Sequence, residues 1–524
     1  MKNYFGCILI FLLISVFKQS AAQPKFEFRG VWVATVDNID FPSTKFLSTE
    51  DQKAEFISLL NMHRGNGMNA VVVQMRPAAD AFYPSQFEPW SEWLTGTQGK
   101  PPAPYYDPLE FMITETHKRG MEFHAWMNPY RAEFNVGKSS ISLTHITKIH
   151  PEWFLLYGGK KYFDPGNKEV QQFVNNVVKD VVSRYNIDAV HFDDYFYPYR
   201  ISGKEFGDTA SFGKYGNGMN KETWRRSNVD SIILMLGKTI KKANPFCKFG
   251  ISPFGVWRNI DKDPEGSNTR AGQTNYDDLY ADILLWLKMK WIDYVAPQLY
   301  WEFGQKQVGY EVLIDWWAKH AYGRQIYIGQ GIYRAMESKS HAWKNVHELP
   351  NQIKRLREYP QVQGSIFFSS ATFSSNPNGW SDSLRNNYYK YPAIVPPIEW
   401  IDSLIPLRPV LLSDSSKAAI YNGFIDLYLR PDSSVNSNVN RYVIYDFEDT
   451  SKIDTSDPKH IAEIIVAGTN YYRFNLQNIP AQQAKIVIAA TSLTNTNNES
   501  SLSRFIYLER KTNGWQVIFQ PNNQ

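Results

Sequence analysis

The chain contains very little cysteine: two residues, Cys7 and Cys247, among 524. Cys7 lies in an N-terminal apolar run that we predict to be removed, and the one remaining thiol can form neither an intrachain disulfide nor a cysteine-based metal site. That run is too short to span a bilayer comfortably, and no later stretch of about 18 uncharged apolar residues follows it. We therefore expect stability to come from a large core, and we expect no transmembrane anchor.

The first 22 residues have the features of a secretory signal peptide. Lys2 begins a short basic region, residues 8–17 form an apolar stretch, and residues 20–22 supply small side chains for cleavage. This pattern predicts an exported protein, located in the periplasm or at the cell surface. A lipid anchor needs a cysteine at the cleavage point, and the sequence has none there.

The sequence has no strong charge of one sign. Its formal net charge of +4 gives no reason to expect a nucleic-acid partner. No glycine-rich phosphate loop follows the first predicted strand, so we expect no dinucleotide; we also expect no other cofactor and no metal ion. Aromatic residues are abundant instead, with 16 Trp, 31 Tyr and 32 Phe. Such rings fill cores, but they also stack on the C–H faces of sugars.

Between Phe28 and about Tyr389, short β-branched or aromatic runs alternate with segments of helical period. Eight runs are typical of strands: "FRGVWVAT", "NAVVVQM", "MEFHAWM", "IDAVHFD", "KFGISPF", "DYVAPQLY", "IYIGQGIY" and "GSIFFSS". One intervening helix has clear ends, with Asp107 as its N-cap, Pro108 in the first turn and Gly120 beyond the last turn. This alternation predicts parallel strands with right-handed crossovers, and eight units favour an α/β fold, the closed (β/α)8 TIM barrel.

The character of the sequence changes after Tyr389. The prolines of "YPAIVPPIEWIDSLIPLRP" suit a semi-rigid linker. Short alternating runs such as "FIDLYLR", "RYVIYDF" and "AKIVIAAT" follow, and they predict a small all-β sandwich that resembles a fibronectin type III module. We divide the chain into a signal peptide (1–22), a barrel (23–391), a linker (392–410) and a sandwich (411–524).

Two carboxylates stand side by side in "HFDDYFYP", where the fourth predicted strand ends. Alternation along that strand turns His191 and Asp193 into the barrel and Val190 and Phe192 towards the helices, while Asp194 enters the following loop. Three interpretations compete. The pair can be a structural cap and ion-pair partner; His191, Asp193 and Asp194 can bind a divalent metal, although no HxH, HExxH or DxDxDG pattern supports this; or Asp193 is one of two catalytic carboxylates of a glycosidase. We favour the third.

Glycoside hydrolysis needs a second carboxyl group, because one protonates the leaving oxygen while the other attacks or activates water. Glu302, which follows two aromatic residues after the sixth strand, is one candidate, since apolar surroundings would raise its pKa. Asp80, after the second strand, is the other, unless Arg76 or Arg131 keeps it ionised as an acceptor for sugar hydroxyls. The identity of the acid stays open. So does the choice between retention and inversion, which depends on the separation of the two carboxyl groups.

Other strand ends carry hydrogen-bonding and aromatic groups rather than aliphatic ones. Amides, arginines and rings gathered on one face suit a polysaccharide cleft, although each residue singly has a simpler structural explanation. The predicted substrate-binding residues are Trp32, Arg76, His124, Trp126, Asn128, Tyr130, Arg131, His191, Trp257, Gln298, Tyr300 and Trp301. Three further residues fall at strand ends: Gln74, Arg258 and Tyr333.

Five motifs occur in order at successive predicted strand ends: "RGVWVATVDNIDFPS", "VVVQMRPAADAFYPS", "FHAWMNPYR", "HFDDYFYP" and "VAPQLYW". Over roughly residues 26–390 they resemble the glycosyl-hydrolase-like 10 family. The resemblance implies a (β/α)8 barrel. The family includes a bacterial cell-division enzyme that cuts peptidoglycan glycan strands stripped of their stem peptides, so the implied substrate is a β-1,4-linked chain of N-acetylglucosamine and N-acetylmuramic acid.

The same resemblance bears on individual residues. Asp193 falls where sugar-cleaving barrels often keep a fourth-strand acid. The motif positions expected to line the cleft hold Arg76, Asp80, Asn128, Arg131 and Gln298. The missing lipoprotein cysteine and the added sandwich depart from the division enzyme, which puts membrane tethering and recruitment to the division machinery in doubt.

We therefore expect an exported, cofactor-free glycoside hydrolase that acts within long glycan chains of peptidoglycan. Asp193 would be the nucleophile or base, Glu302 or Asp80 the acid, and Asp194 would orient a neighbour or a sugar hydroxyl. Two alternatives stay open: an amylase-like hydrolase of another polysaccharide, and a non-catalytic glycan-binding protein whose carboxylates only hold hydroxyls. The sequence leaves the oligomeric state open.

Overall fold

A computed structural model describes residues 23–413, 423–431, 439–512 and 514–519. The predicted signal peptide, residues 1–22, lies outside the described residues. Among the helices in these ranges, none has both the length and the apolar character needed to cross a membrane.

Eight parallel strands form a closed barrel, which confirms the predicted (β/α)8 fold. They are β1 (Phe28–Val33), β2 (Ala70–Arg76), β3 (Glu122–Met127), β4 (Ala189–Phe192), β5 (Lys248–Ile251), β6 (Tyr294–Val295), β7 (Gln325–Gln330) and β8 (Val362–Phe367). Each strand pairs with the next along the chain, and β8 closes the barrel on β1 with Phe28 opposite Gly364. The carboxyl ends of all eight strands therefore meet at one mouth.

Helices connect consecutive strands around the outside of the barrel. The helices directly before β2 to β8 are α1 (Thr49–Gly65), α2 (Pro108–His117), α3 (Lys168–Arg184), α4 (Lys221–Ala243), α5 (Ile283–Lys288), α6 (Tyr310–Lys319) and α7 (Glu348–Leu356). Other helical segments span Val36–Asn38, Glu92–Thr95, Ile146–Ile149, Pro151–Trp153, Thr209–Tyr215, Asn275–Asp278, Arg334–Glu337, His341–Lys344, Ser370–Ser374, Pro377–Gly379, Trp380–Ser383 and Leu384–Tyr388. The α2 helix begins as predicted, because the Asp107 side chain accepts hydrogen bonds from the backbone N–H groups of Leu109 and Glu110.

Alternate residues of the strands belong to two separate cores. On β4, Val190 and Phe192 join the large apolar core between the barrel and its helices, while Ala189 joins the inner cluster, as the alternation predicts. The inner apolar cluster comprises Phe28, Trp32, Ala34, Ala70, Val72, Trp126, Ala189, Tyr294, Ala296, Tyr327, Ile366 and Val395. The barrel interior is thus a filled core.

A buried column of polar side chains crosses this interior from the base towards the mouth. At the base, the Glu122 carboxylate accepts hydrogen bonds from Lys248 Nζ at 2.6 Å and lies 3.0 Å from His124 Nε2. His124 Nδ1 lies 2.9 Å from the Tyr294 hydroxyl, which is also 2.8 Å from His191 Nδ1. The indole Nε1 of Trp32 donates to His191 Nε2 at 3.2 Å. We call these five side chains above Lys248 the interior column: Glu122, His124, Tyr294, His191 and Trp32.

Gly250 on β5 makes room for the middle of the interior column. A Cβ atom at this position would lie 1.9 Å from Cζ of Tyr294, far inside van der Waals contact. The close approach therefore requires glycine at residue 250. It allows the tyrosine hydroxyl to reach both histidines across the barrel.

Two long loops, one after β3 and one after β4, both lie at the mouth. The first contains a small antiparallel sheet made of Arg131–Glu133, Phe154–Tyr157 and Lys160–Phe163, with the last of these in the middle. The second runs from the end of β4 through Thr209–Tyr215 to α4. Because both loops rise above the carboxyl ends of the strands, they build the wall of the cavity described below.

After the barrel, the described residues form two packed antiparallel sheets. The strands are β9 (Val410–Ser413), β10 (Phe424–Arg430), β11 (Val439–Phe447), β12 (Ile461–Val466), β13 (Tyr471–Asn475), β14 (Lys485–Thr494), β15 (Ile506–Lys511) and β16 (Gly514–Phe519). Their orders are β9-β10-β13 and β12-β11-β14-β15-β16, with one apolar core contributed by both sheets. Short helical segments span Thr450–Lys452, Pro458–His460, Ala467–Thr469 and Leu476–Asn478. The all-β region is confirmed, while its likeness to a fibronectin type III module and the domain boundaries stay predictions.

The C-terminal region closes the base of the barrel. Asn497 Nδ2 donates to Glu122 at 3.0 Å, and the Arg441 guanidinium lies 3.7 Å from the same carboxylate. Val395, from the predicted linker, lies in the inner apolar cluster of the barrel. Trp400 Nε1 donates to Asp293 at 3.0 Å. The mouth is consequently the open end of the barrel, opposite the sandwich.

Candidate active site

A cavity of about 440 Å³ lies at the carboxyl ends of the barrel strands. Its lining is mostly aromatic and polar: Trp32, Ala34, Val36, Ile39, Gln74, Trp126, Arg131, Phe134, Asp193, Asp194, Tyr195, Tyr199, Ser252, Phe254, Gln298, Tyr300, Trp301, Tyr333, Arg334 and Phe368. Asp193 and Asp194 are the two carboxylates in this set. The cavity therefore combines an acidic centre with walls of rings, amides and arginines.

Asp193 is held rigidly at the floor of the cavity. Its Oδ2 accepts hydrogen bonds from Trp126 Nε1 at 3.1 Å and from Asn128 Nδ2 at 2.8 Å. Its Oδ1 has a longer contact, 3.4 Å, with the backbone N–H of Tyr195. Burial raises the pKa of Asp193, but the charge of Arg131 and the two side-chain donors oppose that rise and favour the carboxylate. One oxygen is thus fixed by donors while the other keeps room for a further donor.

Asp194 follows directly, yet its surroundings differ. Burial, and next the charge of Asp193, raise the pKa of Asp194 to about 7, against the opposing effect of hydrogen bonds from Tyr199 and Gln298. Among the described residues no cation forms an ion pair with it. A carboxyl group with a pKa near 7 carries a proton in much of the population at neutral pH and can donate it, as a general acid must.

Two buried donors in the cavity wall have nitrogen atoms without a protein partner. Gln74 is fully buried and its Oε1 accepts from the backbone N–H of Thr35 and Val36, but its Nε2 has no hydrogen-bond partner among the described residues. Arg131 Nε is likewise unpartnered within the described part of the chain. An unpaired buried donor is costly, so its presence in a cavity wall suggests that a ligand supplies the acceptor.

The rings of the wall form two arcs. In the first, Trp32, Tyr300 and Tyr333 each lie near Phe368, with centroid distances of 6.2, 6.1 and 5.8 Å. The second arc runs through Trp301, Phe254, Tyr199 and Tyr195, with successive centroids 5.5, 6.2 and 5.4 Å apart. Arg131 lies over the Tyr195 ring at 4.7 Å and so extends the second arc. Ring faces flanking two acids are a suitable surface for sugar rings.

Glu302 does not reach the cavity, contrary to the expectation that it could serve as the acid. Its carboxylate accepts hydrogen bonds from Ser340 Oγ at 2.9 Å and from Trp343 Nε1 at 2.8 Å. With these partners Glu302 stays outside the cavity lining, although Tyr300 and Trp301 just before it do line the cavity. Glu302 is therefore a structural residue of the loop after β6.

Asp80 is also outside the cavity lining. It is fully buried, and it accepts hydrogen bonds from the backbone N–H of Ala78 at 3.1 Å and from Gln98 Nε2 at 3.2 Å. Burial raises its pKa to about 7 against those donors. Arg76, considered as its partner, instead forms a buried ion pair with Glu88 at 2.5 Å. Neither residue has the position that the proposed sugar contacts would need.

The other predicted substrate-binding residues divide into three groups. Trp32, Trp126, Arg131, Gln298, Tyr300 and Trp301 line the cavity, together with Gln74 and Tyr333. Asn128 lies just behind it and holds Asp193. Four do not line it: His124 and His191, which belong to the interior column, and the buried Tyr130 and Trp257. Arg258 pairs with Asp277 outside the cavity.

The most informative residues that sequence reasoning missed are Tyr195 and Tyr199. Tyr199 donates a hydrogen bond to Asp194, and Tyr195 stacks beneath Arg131. Both stand in "DDYFYPYR", so the aromatic run after the two acids was the available signal. Phe134, Ser252, Phe254, Arg334 and Phe368 complete the wall from loops and strand ends that carried no distinctive pattern.

The protein is a (β/α)8 barrel with a ring-lined, acidic cavity at its mouth, and comparison with known proteins gives its family. The glycosyl hydrolase-like 10 family matches residues 27–345, so the chain belongs to that family. It is 48% identical to "Glycosyl hydrolase YngK" of Bacillus subtilis (strain 168) over 404 residues, which are 76% of this chain and 79% of the relative.

A second relative is "Glycosyl hydrolase DigH" of Escherichia coli (strain K12), 38% identical over 374 residues, which cover 67% of this chain and 84% of the relative. Among solved structures, "Alpha-L-fucosidase isoenzyme 2 from Paenibacillus thiaminolyticus" matches with a TM-score of 0.43 and 12% identity. It covers 74% of this chain and 52% of that one.

Proposed function

We propose that this protein is an exported glycoside hydrolase that cleaves β-linked glycosidic bonds within peptide-free peptidoglycan strands. The observation that carries the proposal is the pair Asp193 and Asp194 at the floor of a ring-lined cavity at the barrel mouth. Family membership supports the reaction class. The predicted signal peptide supports action in the periplasm or at the cell surface.

The two acids suit different tasks. Asp194, with its pKa of about 7, is the group to protonate the leaving glycosidic oxygen. Asp193, held by Trp126 and Asn128 and facing the Arg131 charge, is the anion that stabilises positive charge developing at the anomeric carbon. These roles replace the earlier expectation that Glu302 or Asp80 supplies the acid, because neither carboxylate lines the cavity.

The walls support a polymer of flat, hydroxyl-rich rings. Sugars can stack on exposed faces of the two aromatic arcs, while Gln74 Nε2 and Arg131 Nε are unpaired, within the described residues, and available to hydroxyl or carbonyl acceptors. Peptide-free strands suit a cavity of about 440 Å³ better than strands whose stem peptides crowd every second sugar.

The test is release of soluble fragments from purified, peptide-free glycan strands. Asp193→Asn should lower the rate about 10³-fold while thermal unfolding stays close to that of the unchanged protein, because general acid–base and charge-stabilising groups each contribute on that scale. Glu302→Gln is the matched control and should retain most of the activity.

A panel with α-glucan and strands that keep their stem peptides identifies the substrate. Cleavage of α-glucan alone would favour an amylase-like hydrolase. Binding of glycan without product, unaffected by Asp193→Asn, would favour a glycan-binding protein and contradict the proposal.

A further inference from the structure

The two acids come from consecutive positions at the end of a single strand. In most glycosidases the two carboxyl groups face each other across the bond that is cleaved, about 5 to 5.5 Å apart for retention or about 6.5 to 9.5 Å for inversion. Such an arrangement draws them from different strands or loops. Within the described residues, Asp193 and Asp194 are the two carboxylates of the cavity lining, and both follow β4.

Three other carboxylates of the loops after the barrel strands are held by protein donors and do not line the cavity. Glu302 accepts hydrogen bonds from Ser340 and Trp343, and Asp80 accepts them from Ala78 and Gln98. Asp40 is the third: it accepts hydrogen bonds from the backbone N–H groups of Ala34 and Ala371 and from Ser369 Oγ, each at 2.7 Å. Three donors fix this carboxylate behind the wall, so it lacks a free position from which to attack a sugar.

We propose that the missing nucleophile belongs to the substrate: the 2-acetamido group of the β-linked sugar attacks its own anomeric carbon, Asp193 holds the acetamido N–H, and Asp194 is the acid and base. This rests on the proposed function and narrows it. The sugar whose anomeric bond breaks must carry an N-acetyl group, as N-acetylglucosamine and N-acetylmuramic acid do.

The position of Asp193 suits this role. Trp126 and Asn128 hold Oδ2, while Oδ1 has one long contact with the backbone N–H of Tyr195 and can accept a shorter bond from an amide N–H. The Trp126 ring is adjacent, since its own indole donates to Asp193, and it offers an apolar surface to the acetyl methyl group. Gln74 Nε2, unpartnered among the described residues and buried in the same wall, is a donor for a carbonyl or hydroxyl of the substrate.

The reaction balances in two steps. In the first, the acetamido carbonyl oxygen bonds to C1 as the glycosidic C1–O bond breaks; its electron pair goes to the leaving oxygen, which takes the proton of Asp194. Asp193 stabilises the positively charged oxazolinium ring through its N–H. In the second step, water gives a proton to the Asp194 carboxylate and its oxygen bonds to C1 while the ring bond to C1 breaks, which restores the acetamido group. Two inversions at C1 give net retention.

The first experiment uses the full mature chain, purified peptide-free strands, and NMR of the newly formed reducing end before it equilibrates. The β-anomer is expected. The α-anomer would overturn the inference but leave the proposed glycosidase activity intact, because it would show direct attack by water. No release from any glycan would overturn the proposed function and the inference with it.

A second measurement does not depend on turnover. Disaccharide thiazolines that end in N-acetylglucosamine or N-acetylmuramic acid imitate the ring intermediate, and calorimetry measures their binding. We expect tight binding to the unchanged protein and about 10- to 100-fold weaker binding to Asp193→Asn, because the protonated thiazoline nitrogen loses its hydrogen bond to a charged acceptor. Glu302→Gln is the control and should bind as the unchanged protein does. Equal binding of the thiazoline by Asp193→Asn would overturn the assigned role.

Azide provides a third, independent readout. If Asp193 itself attacked the sugar, Asp193→Gly supplied with azide would form an α-glycosyl azide in place of the lost bond. We expect no α-azide from this variant. Detection of the α-azide, or of a sugar covalently attached to Asp193 by mass spectrometry, would identify an enzymic nucleophile and overturn the inference.

Discussion

The two ends of the barrel interior both hold buried carboxylates, and their surroundings have opposite effects. At the base, burial alone would raise the pKa of Glu122, but Lys248, His124 and Arg441 outweigh burial and hold the pKa well below its ordinary value. At the mouth, burial and the neighbouring Asp193 raise the pKa of Asp194 to about 7. Since both carboxylates are buried, the partners decide whether such an acid is a stable anion or a proton donor.

This difference corresponds to a division of tasks. The Glu122 carboxylate accepts hydrogen bonds from Lys248, His124 and Asn497. It therefore stabilises the base of the barrel and its contact with the C-terminal region. Asp194 has no cationic partner among the described residues, and this makes it costly as an anion. Such an acid is expected where function, rather than stability, determines the residue.

Asp194→Asn should have the largest effect of the changes that probe this comparison. Fragment release should fall about 10³-fold, because the amide cannot donate a proton to the leaving oxygen. At pH 8 the temperature of unfolding should equal or exceed that of the unchanged protein, since the substitution removes a buried charge. Activity assays and thermal unfolding check both; an active Asp194→Asn protein would contradict the assignment.

Lys248→Met tests the opposite end. Removing one partner of a buried pair should lower the free energy of unfolding by about 3–5 kcal/mol, because Glu122 is left with an incompletely compensated charge. Arg64→Met is a matched control: its pair with Glu463 is partly exposed, so the loss should be within about 1 kcal/mol. Urea unfolding measures both. Equal losses would show that the base carboxylate is not specially stabilised.

The smallest of these expected effects is the dependence of activity on pH. Because Asp194 must be protonated to act, fragment release should fall about tenfold per pH unit above pH 7. A rate that is constant from pH 6 to 9 would contradict this prediction. The Asp194→Asn protein, which is already slow, should show no such fall in rate above pH 7.

The stability of the folded protein should also depend on pH. Burial lowers the pKa of His124 and His191, so the unfolded chain binds protons at these residues when the folded chain does not. The contribution of these two neutral histidines to the free energy of unfolding is complete above the ordinary histidine pKa, and it is lost as the pH falls below about 6.5. Asp194 acts in the opposite direction: its raised pKa means that stability falls as the pH rises from about 4 to 7.

Periodicity predicted the barrel well, because strand and helix patterns are local. The alternation on β4 also placed His191 and Asp193 inside. It gave no direction for Asp194: β4 ends at Phe192, and Asp194, predicted to enter the following loop, lines the cavity and accepts a hydrogen bond from Tyr199. A side chain beyond a strand end is oriented by its partners, and those were not evident from spacing.

The acid partner could not be predicted for a related reason. Glu302 follows cavity-lining aromatic residues, but Ser340 and Trp343, about forty positions ahead, turn it away. The packing of the sandwich against the base of the barrel also depends on contacts between residues far apart in sequence, from Arg441 and Asn497 to Glu122. Sequence patterns report which face a residue occupies within its element, and they do not report which distant group it meets.

The interior column has a consequence for the orientation of hydrogen atoms. An indole nitrogen can only donate, so Trp32 requires His191 Nε2 to accept, and the hydrogen of this neutral ring sits on Nδ1 and points to Tyr294. The tyrosine hydroxyl must then donate to His124 Nδ1, and the N–H at His124 Nε2 donates to the Glu122 carboxylate. The four hydrogen bonds of the interior column thus all point from the mouth towards the base, and the Trp32 indole at the rim fixes that direction.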